Sequence, residues 1–188
     1  MLQLSGVADF DSDGRADLLW RHTKSGDVAL WLMDGATVKQ SVSASPGVPL
    51  EWRVAGVADS TGDGRAKVIW RNSQNGNVAV WVMHGAVVEQ SAVLAYSVPS
   101  AWQIGGVRGR PNDGDVDLVW RNSQDGDVAE WRAHLTSVVQ SAVMLPDVSL
   151  TWQVVGVGDA DGDGTVDLFW RDMQTGDVAV WLNGGTVP

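Results

Sequence analysis

The apolar residues of this chain fall in short runs separated by polar turns, and the pattern recurs every fifty residues. The runs "WRVAGVA" (52–58), "KVIWRNS" (67–73) and "NVAVWVM" (77–83) are rich in β-branched and aromatic residues, which favour strands. "QNGN" (74–77) is typical of a hairpin turn, and "AVVEQSAVL" (86–94) predicts a fourth strand. No segment shows sustained helical periodicity. The pattern therefore predicts four strands per repeat.

Tryptophan marks the same register along the whole chain. All eleven tryptophans belong to three series with a spacing of fifty, without insertion or deletion. These are Trp20, Trp70, Trp120 and Trp170; Trp31, Trp81, Trp131 and Trp181; and Trp52, Trp102 and Trp152. Such strict self-similarity is the signature of a repeat architecture.

Four strands per fifty residues is the size of one propeller blade, so we predict an all-β fold: a β-propeller of four four-stranded blades. Blades pack face to face, so both faces of a blade are largely apolar, and the valine runs show no regular alternation of apolar and polar residues. Tryptophan can then fill the space between two blades as a large side chain. Two closures stay open. The repeats could form a single four-bladed ring, or a half-ring that assembles with a second copy, as a homodimer, into a larger propeller.

We predict one domain, 1–188, divided into repeats 2–51, 52–101, 102–151 and 152–188. The last repeat lacks the segment that corresponds to 87–94, which is the predicted outer strand.

Composition narrows the class of protein. A hydrophobic fraction of 44% indicates a folded globular protein. There is no cysteine, which excludes disulfides and thiol chemistry. The net charge of −10 argues against binding to nucleic acid or to an anionic membrane. No stretch resembles a signal peptide or a transmembrane helix, so membrane insertion is not predicted, and the chain could be a mature domain whose export signal has been removed.

An acidic loop precedes the second strand of the first repeat. Its candidate ligands at positions 1, 3, 5, 7 and 9 are Asp9, Asp11, Asp13, Arg15 (through its backbone carbonyl) and Asp17. Alternate carboxylates can converge on one point, Gly14 permits the sharp turn, and oxygen-only ligation suits Ca²⁺. Trp20 stands where an EF-hand has its bidentate glutamate, so the loop is of a calcium type that joins strands.

The fourth repeat carries the loop in full, as Asp159, Asp161, Asp163, Thr165 and Asp167. The middle copies are degraded. Lys67 at position 9 of the second loop could act as a built-in cation, and the third loop has Gly109 and Pro111 at positions 1 and 3. We expect weak or no metal binding there. The alternative for all four is a turn whose carboxylates cap backbone amides.

The units "GVADFDSDGRADLLWR" and "GVGDADGDGTVDLFWR", followed by "SGDVALWLMDG" and "TGDVAVWLNGG", resemble the FG-GAP or VCBS repeats of integrin-α-like β-propellers. The resemblance implies that the acidic loop joins the first two strands of a blade and holds Ca²⁺. It also implies an extracellular or secreted adhesion and ligand-binding module, and some similar propellers in fungi are lectins. Such rings usually have about seven blades, so four repeats depart from the family pattern.

Catalysis is not predicted. The three histidines occupy variable polar or turn positions, and no nucleophile elbow, phosphate loop or zinc spacing occurs. Carboxylates that ligate calcium make poor general acids.

We therefore predict a non-enzymatic, calcium-stabilised extracellular module that binds a glycan, as a lectin does, or a protein. Trp52, Trp102 and Trp152 are the candidate ligand-binding residues, because they follow polar loops and their rings can stack on sugars. The alternative is that the tryptophans are inter-blade core. The chain would then be a structural or assembly domain of a larger secreted protein, or a designed or fragment propeller without its own ligand.

Overall fold

The computed structural model describes residues 1–60, 65–110 and 113–182. Within these residues fifteen strands form four antiparallel sheets, and each strand pairs with its neighbour in sequence. The predicted all-β class and the four-bladed propeller are confirmed. No helix among the described residues is long and apolar enough to cross a membrane.

Each sheet is one blade, and its strands run in chain order from the inner edge outwards. Blade 1 contains β1 (Leu2–Ala8), β2 (Asp17–His22), β3 (Val28–Asp34) and β4 (Thr37–Ser45). Blade 2 contains β5 (Trp52–Ala58), β6 (Lys67–Asn72), β7 (Val78–His84) and β8 (Val87–Ala95). Blade 3 contains β9 (Trp102–Gly109), β10 (Val116–Asn122), β11 (Val128–His134) and β12 (Ser137–Leu145).

Blade 4 contains three strands among the described residues: β13 (Trp152–Gly158), β14 (Asp167–Asp172) and β15 (Val178–Trp181). The predicted loss of an outer strand concerns the segment that would correspond to 87–94, which would begin at residue 187, and residues 183–188 lie outside the described residues.

Consecutive blades pack through apolar side chains, and each of the three junctions has its own core cluster. Leu19 and Leu30 of blade 1, for example, lie in one cluster with Val68 of blade 2. The tryptophans at the centre of β6, β10 and β14 are at most 1% exposed: Trp70, Trp120 and Trp170. Tryptophan of this series is therefore the inter-blade spacer that the sequence predicts.

An arginine of the preceding blade lies over each of these buried rings. The guanidinium carbon is 5.2 Å from the ring centroid for Arg21 and Trp70, and 5.5 Å for Arg71 and Trp120 and for Arg121 and Trp170. The same arginine donates to backbone carbonyls of the linker to the next blade, as Arg21 Nη2 does to Val48 and Pro49 at 3.1 and 2.9 Å. Each junction therefore combines apolar packing with one cation–π contact.

Glycine in the inner strand lets neighbouring blades approach closely. A Cβ at Gly6 would lie 2.2 Å from Val57 Cγ2 of the next blade, and a Cβ at Gly56 would lie 2.5 Å from Val107 Cγ2. Gly106 and Val157 repeat this contact at 2.7 Å. These distances are too short for any side chain, so a valine of one blade fills the space above a glycine of the blade before it.

Across the described residues, the four blades do not close into a ring. The inner strands contact one another in the order β1, β5, β9, β13, and among the described residues no apolar cluster joins blade 4 to blade 1. The outward face of blade 1 exposes Val7 by 50%, and that of blade 4 exposes Val178 by 71%. The four blades therefore form an open arc with an apolar face at each end.

Candidate functional site

The first acidic loop connects β1 to β2 and is folded around its own carboxylates. Asp9 accepts hydrogen bonds from the backbone N–H groups of Ser12 (2.8 Å) and Gly14 (2.7 Å). Asp17 is fully buried and accepts from the N–H groups of Phe10 and Met33, both at 2.8 Å. These bonds fix the loop against β3 and orient the two carboxylates.

Three of the predicted ligands converge in this loop. One carboxylate oxygen each from Asp9, Asp11 and Asp17 can be chosen so that all lie within 4.8 Å of one another. Asp11 Oδ1 is buried and has no hydrogen-bond partner. A buried carboxylate oxygen without a donor is costly unless a cation lies beside it. The donor set is oxygen only, so it fits a hard cation such as Ca²⁺.

The loop of the fourth repeat has the same design. Asp159 accepts from the N–H groups of Gly162 (2.7 Å) and Gly164 (3.0 Å), and buried Asp167 accepts from that of Ala160 (2.5 Å). Oxygens of Asp159, Asp161 and Asp167 again lie within 4.8 Å of one another. The two complete sequence copies are thus also the two convergent carboxylate groups among the described residues.

The remaining predicted ligands stand outside these two groups of carboxylates. Asp13 accepts from the Arg15 N–H (3.0 Å) and lies 3.3 Å from Lys39 Nζ, while the Arg15 side chain pairs with Asp34. In the fourth loop Asp163 accepts from the hydroxyl and N–H of Thr165, both at 2.7 Å, and these bonds lower the pKa of Asp163.

A lysine from the outer strand reaches the first loop. Lys39 Nζ of β4 lies 3.0 Å from Asp11 Oδ2, which leaves Oδ1 as the unpartnered oxygen. Its hydrogen bonds to Asp11 and Asp13 raise the pKa of Lys39. The ammonium therefore balances part of the charge of the loop without occupying the buried side of Asp11.

The two middle loops hold cationic side chains instead. Lys67, only 3% exposed, donates from Nζ to Ser60 Oγ (3.1 Å) and to the backbone carbonyl of Gly114 in blade 3. Thr61 and Asp63 of the second loop and Pro111 of the third lie outside the described residues.

Arginine surrounds the acid of the third loop. The carboxylate of Asp117 is fully buried, with Arg110 Nη1 at 3.2 Å, Arg132 Nε at 3.7 Å and Arg108 Nη1 at 3.8 Å. A metal ion would meet this positive charge, so the site is unsuited to calcium. Arg108 Nη2 also lies 3.2 Å from Asp159 Oδ2, which ties the third blade to the fourth loop.

Glu130 of β11 stands at the junction of blades 3 and 4, where blades 1 and 2 have Leu30 and Val80. Burial raises the pKa of Glu130, and the nearby Asp117 carboxylate raises it further. The side chain therefore remains protonated to a higher pH than an exposed glutamate.

A pocket lined by both polar and apolar side chains lies at each junction, in the same place of the repeat. The volumes are about 390, 550 and 350 Å³, and each pocket contains one predicted ligand-binding tryptophan together with the arginine that spans the junction. The tryptophan and arginine pairs are Trp52 with Arg21, Trp102 with Arg71, and Trp152 with Arg121. The structure thus places all three predicted residues in equivalent pockets, with each ring half-buried against the core.

Amide and hydroxyl groups complete these pockets. Asn72, Ser73 and Gln74 line the second pocket, and Gln103 lines both the second and the third. A planar indole beside several donors and acceptors suits a polar ligand with an apolar face.

A second kind of groove has three tryptophans in its lining. Trp52, Trp70 and Trp81 line a groove of about 580 Å³ beneath the linker between blades 1 and 2. Its equivalent at the next junction has Trp102, Trp120 and Trp131 and a volume of about 600 Å³. In each groove two of the indole rings are tilted against each other, with centroids 4.6 Å apart. The pairs are Trp70 with Trp81 and Trp120 with Trp131. We call these the tryptophan grooves.

The fold and these loops define a propeller repeat domain, a class whose members serve as binding or structural modules. Residues 9–70 match the family profile of the FG-GAP-like repeat, which confirms the resemblance over the first acidic loop and the start of the second repeat. No curated protein matches the chain.

Among solved structures the chain is similar to a chain of a crystal structure of a nidogen/laminin complex, with a TM-score of 0.56 and 16% sequence identity. The match covers 90% of this chain and 56% of that chain, so this chain spans little more than half of its length. At this identity the likeness shows the propeller fold.

Sequence reasoning missed the residues that one element contributes to another. Lys39 is thirty residues beyond the start of the loop it contacts, and Arg108 belongs to the blade before its loop. The one available signal was that Arg108 interrupts a series of small residues, Ala8, Ala58 and Gly158.

Proposed function

We propose that this chain is a calcium-stabilised, non-enzymatic module that acts outside the cell and recognises a glycan through the junction pockets. The observation that carries the proposal is the threefold repetition of one pocket composition, an indole beside an arginine and neutral polar side chains. Repeated sites of this kind bind individually weakly and gain strength when a branched or clustered ligand occupies several at once.

In this proposal calcium binds in the acidic loops, outside the pockets, and stabilises the blades. Asp9, Asp11 and Asp17 would hold one ion, and Asp159, Asp161 and Asp167 a second. When bound, the ion supplies positive charge that offsets the mutual repulsion of the carboxylates. The acidic loops fix the turns between the first two strands of blades 1 and 4, so their role is to stabilise the blades that carry the pockets.

Calcium is expected to raise the melting temperature of the protein relative to excess chelator, because an ion that binds only the folded state stabilises it. At one hundred times the dissociation constant the gain is about 2.7 kcal/mol per site. The double variant Asp11→Ala/Asp161→Ala should lose this difference. Scanning calorimetry of both proteins in calcium and in chelator measures it.

Asp34→Ala is the matched control, since Asp34 is an exposed acid that pairs with Arg15 outside the carboxylate group. It should keep the full response to calcium. Identical melting temperatures of the unchanged protein in calcium and in chelator would contradict the calcium assignment.

Glycan recognition is tested on an array probed in calcium and in chelator. Gln103→Ala should weaken binding by up to about tenfold, because it removes one hydrogen-bonding group from two pockets. Gln103 is exposed, so the variant keeps the core intact.

Gln90→Ala, an exposed position of β8, is the control and should bind like the unchanged protein. Absence of any binding in calcium would reject the glycan. The chain would then be a protein-binding or structural module.

A protein ligand is the second candidate, and the tryptophan grooves favour it. They are mainly apolar and of a size that accepts side chains of a partner. The similar chain belongs to a protein complex, which is in line with protein partners. A second copy of this chain is one such partner that we propose, because both ends of the arc expose apolar faces.

A further inference from the structure

The two ends of the arc carry the two halves of the contact that joins its blades internally. At each internal junction a valine of the following blade lies over a glycine of the preceding one, as Val57 lies over Gly6. Val7 is the equivalent of Val57, and it is 50% exposed. Gly156 is the equivalent of Gly6, and a Cβ there would meet only Phe169 of its own blade, at 3.6 Å.

The side chains around Gly156 are likewise more exposed than their equivalents at the internal junctions. Leu19, Ile69 and Val119 are fully buried by the following blade, whereas their equivalent Phe169 is only half-buried. Val28, Val78 and Val128 are at most 1% exposed, whereas Val178 is 71% exposed. In blades 1, 2 and 3 the equivalent face is buried by the following blade. In blade 4 nothing among the described residues covers this face.

Blade 1 presents the complementary face. Its Trp20 is half-buried, whereas the three later tryptophans of the series are at most 1% exposed. Those three each have an arginine of the preceding blade above the ring. Arg171 is the arginine of blade 4 in this register, and it is exposed. Blade 1 thus has a partly exposed indole at Trp20, and blade 4 has an exposed guanidinium at Arg171. At the internal junctions the equivalent guanidinium lies over the equivalent indole.

We propose that blade 1 of one copy packs on blade 4 of a second copy in the register of the internal junctions, with Val7 over Gly156 and Arg171 over Trp20. This contact is the interface of the homodimer proposed above, so the inference depends on that homodimer. It is heterologous, because different faces meet, and two copies close into one ring of eight blades in which both faces of each chain are covered. Burial of the exposed valines and of Leu4, which is 46% exposed, supplies the hydrophobic driving force.

The test is the mass of the 188-residue chain in solution, measured by light scattering after size-exclusion chromatography. We expect twice the chain mass of 20.1 kDa. Gly156→Val fills the space that Val7 of the second copy would occupy, and Val7→Asp places a charge in it. Both variants should run as folded monomers, because neither side chain meets a clash within its own chain.

Val139→Asp is the matched control, since Val139 is 56% exposed on β12, outside both end faces. It should remain a dimer. A monomeric unchanged protein at every concentration would overturn the homodimer itself. Dimers that persist in both Gly156→Val and Val7→Asp would overturn this contact and leave the homodimer standing through another surface. Circular dichroism spectra equal to that of the unchanged protein exclude unfolding as the cause of a lost dimer.

Discussion

Gly26→Ala is expected to lower the free energy of unfolding by about 3 kcal/mol or more. Gly26 has a φ of +76° in the turn between β2 and β3, and a Cβ there would lie 1.9 Å from the carbonyl oxygen of Val48. The methyl group would displace the linker from the turn, which breaks the bond from the Val48 N–H to the Gly26 carbonyl (3.2 Å). The Arg21 bonds to the same linker would be lost with it. Urea denaturation measures the change.

Gly176→Ala separates the two causes of this loss. Gly176 has the same turn geometry, with a φ of +83°, but a Cβ there meets no described atom within 4 Å. Its cost should be that of the backbone conformation alone, about 1 kcal/mol. Equal losses in the two variants would show that the linker contact contributes nothing.

Asp117→Asn is expected to destabilise the protein by about 3 kcal/mol. The amide has nearly the same shape as the carboxylate but no charge, so it leaves Arg108, Arg110 and Arg132 without the anion that they surround. Arg108 is only 9% exposed, so water cannot replace the lost partner. Thermal and urea denaturation at neutral pH report the loss, and the pKa of Glu130 should fall towards its ordinary value.

Asp113→Asn is the control for this variant. Asp113 pairs with the same Arg110, at 3.1 Å, but its side chain is 45% exposed. An ion pair in that position contributes about 0 to 1 kcal/mol. A loss at Asp117 no larger than that at Asp113 would contradict the view that the buried carboxylate anchors the third loop.

The fold was predictable because the repeat is strict. The fifty-residue register of Trp20 and its equivalents defines the blade, and four strands per period define the propeller. The acidic spacing likewise identified Asp9, Asp11 and Asp17, which the structure brings together. In both cases the pattern is local, so residues near in sequence are also near in space.

The contacts between elements were not predictable. Lys39, which reaches Asp11, is the residue of β4 that a register shift leaves without a pairing partner on β3, and no residue type predicts such a shift. Gln103 lines two pockets because its strand, β9, contacts the inner strands of both neighbouring blades, β5 and β13, and this arrangement follows from the packing of the blades. The departure of Asp13 from the carboxylate group has the same origin, since its position is decided by competing partners at Lys39 and Arg15.

The succession of junctions along the arc also bears on how the molecule opens. Each blade draws its tertiary stabilisation from its immediate neighbours, so the free energy divides into terms for blades and terms for junctions, as in a one-dimensional array. An end blade can detach by losing a single junction, whereas an inner blade must break two. In an isolated chain the amide hydrogens of β14 should therefore exchange with solvent through local opening of blade 4. Those of β6 and β10 should exchange more slowly, because their exchange requires a larger unfolding event.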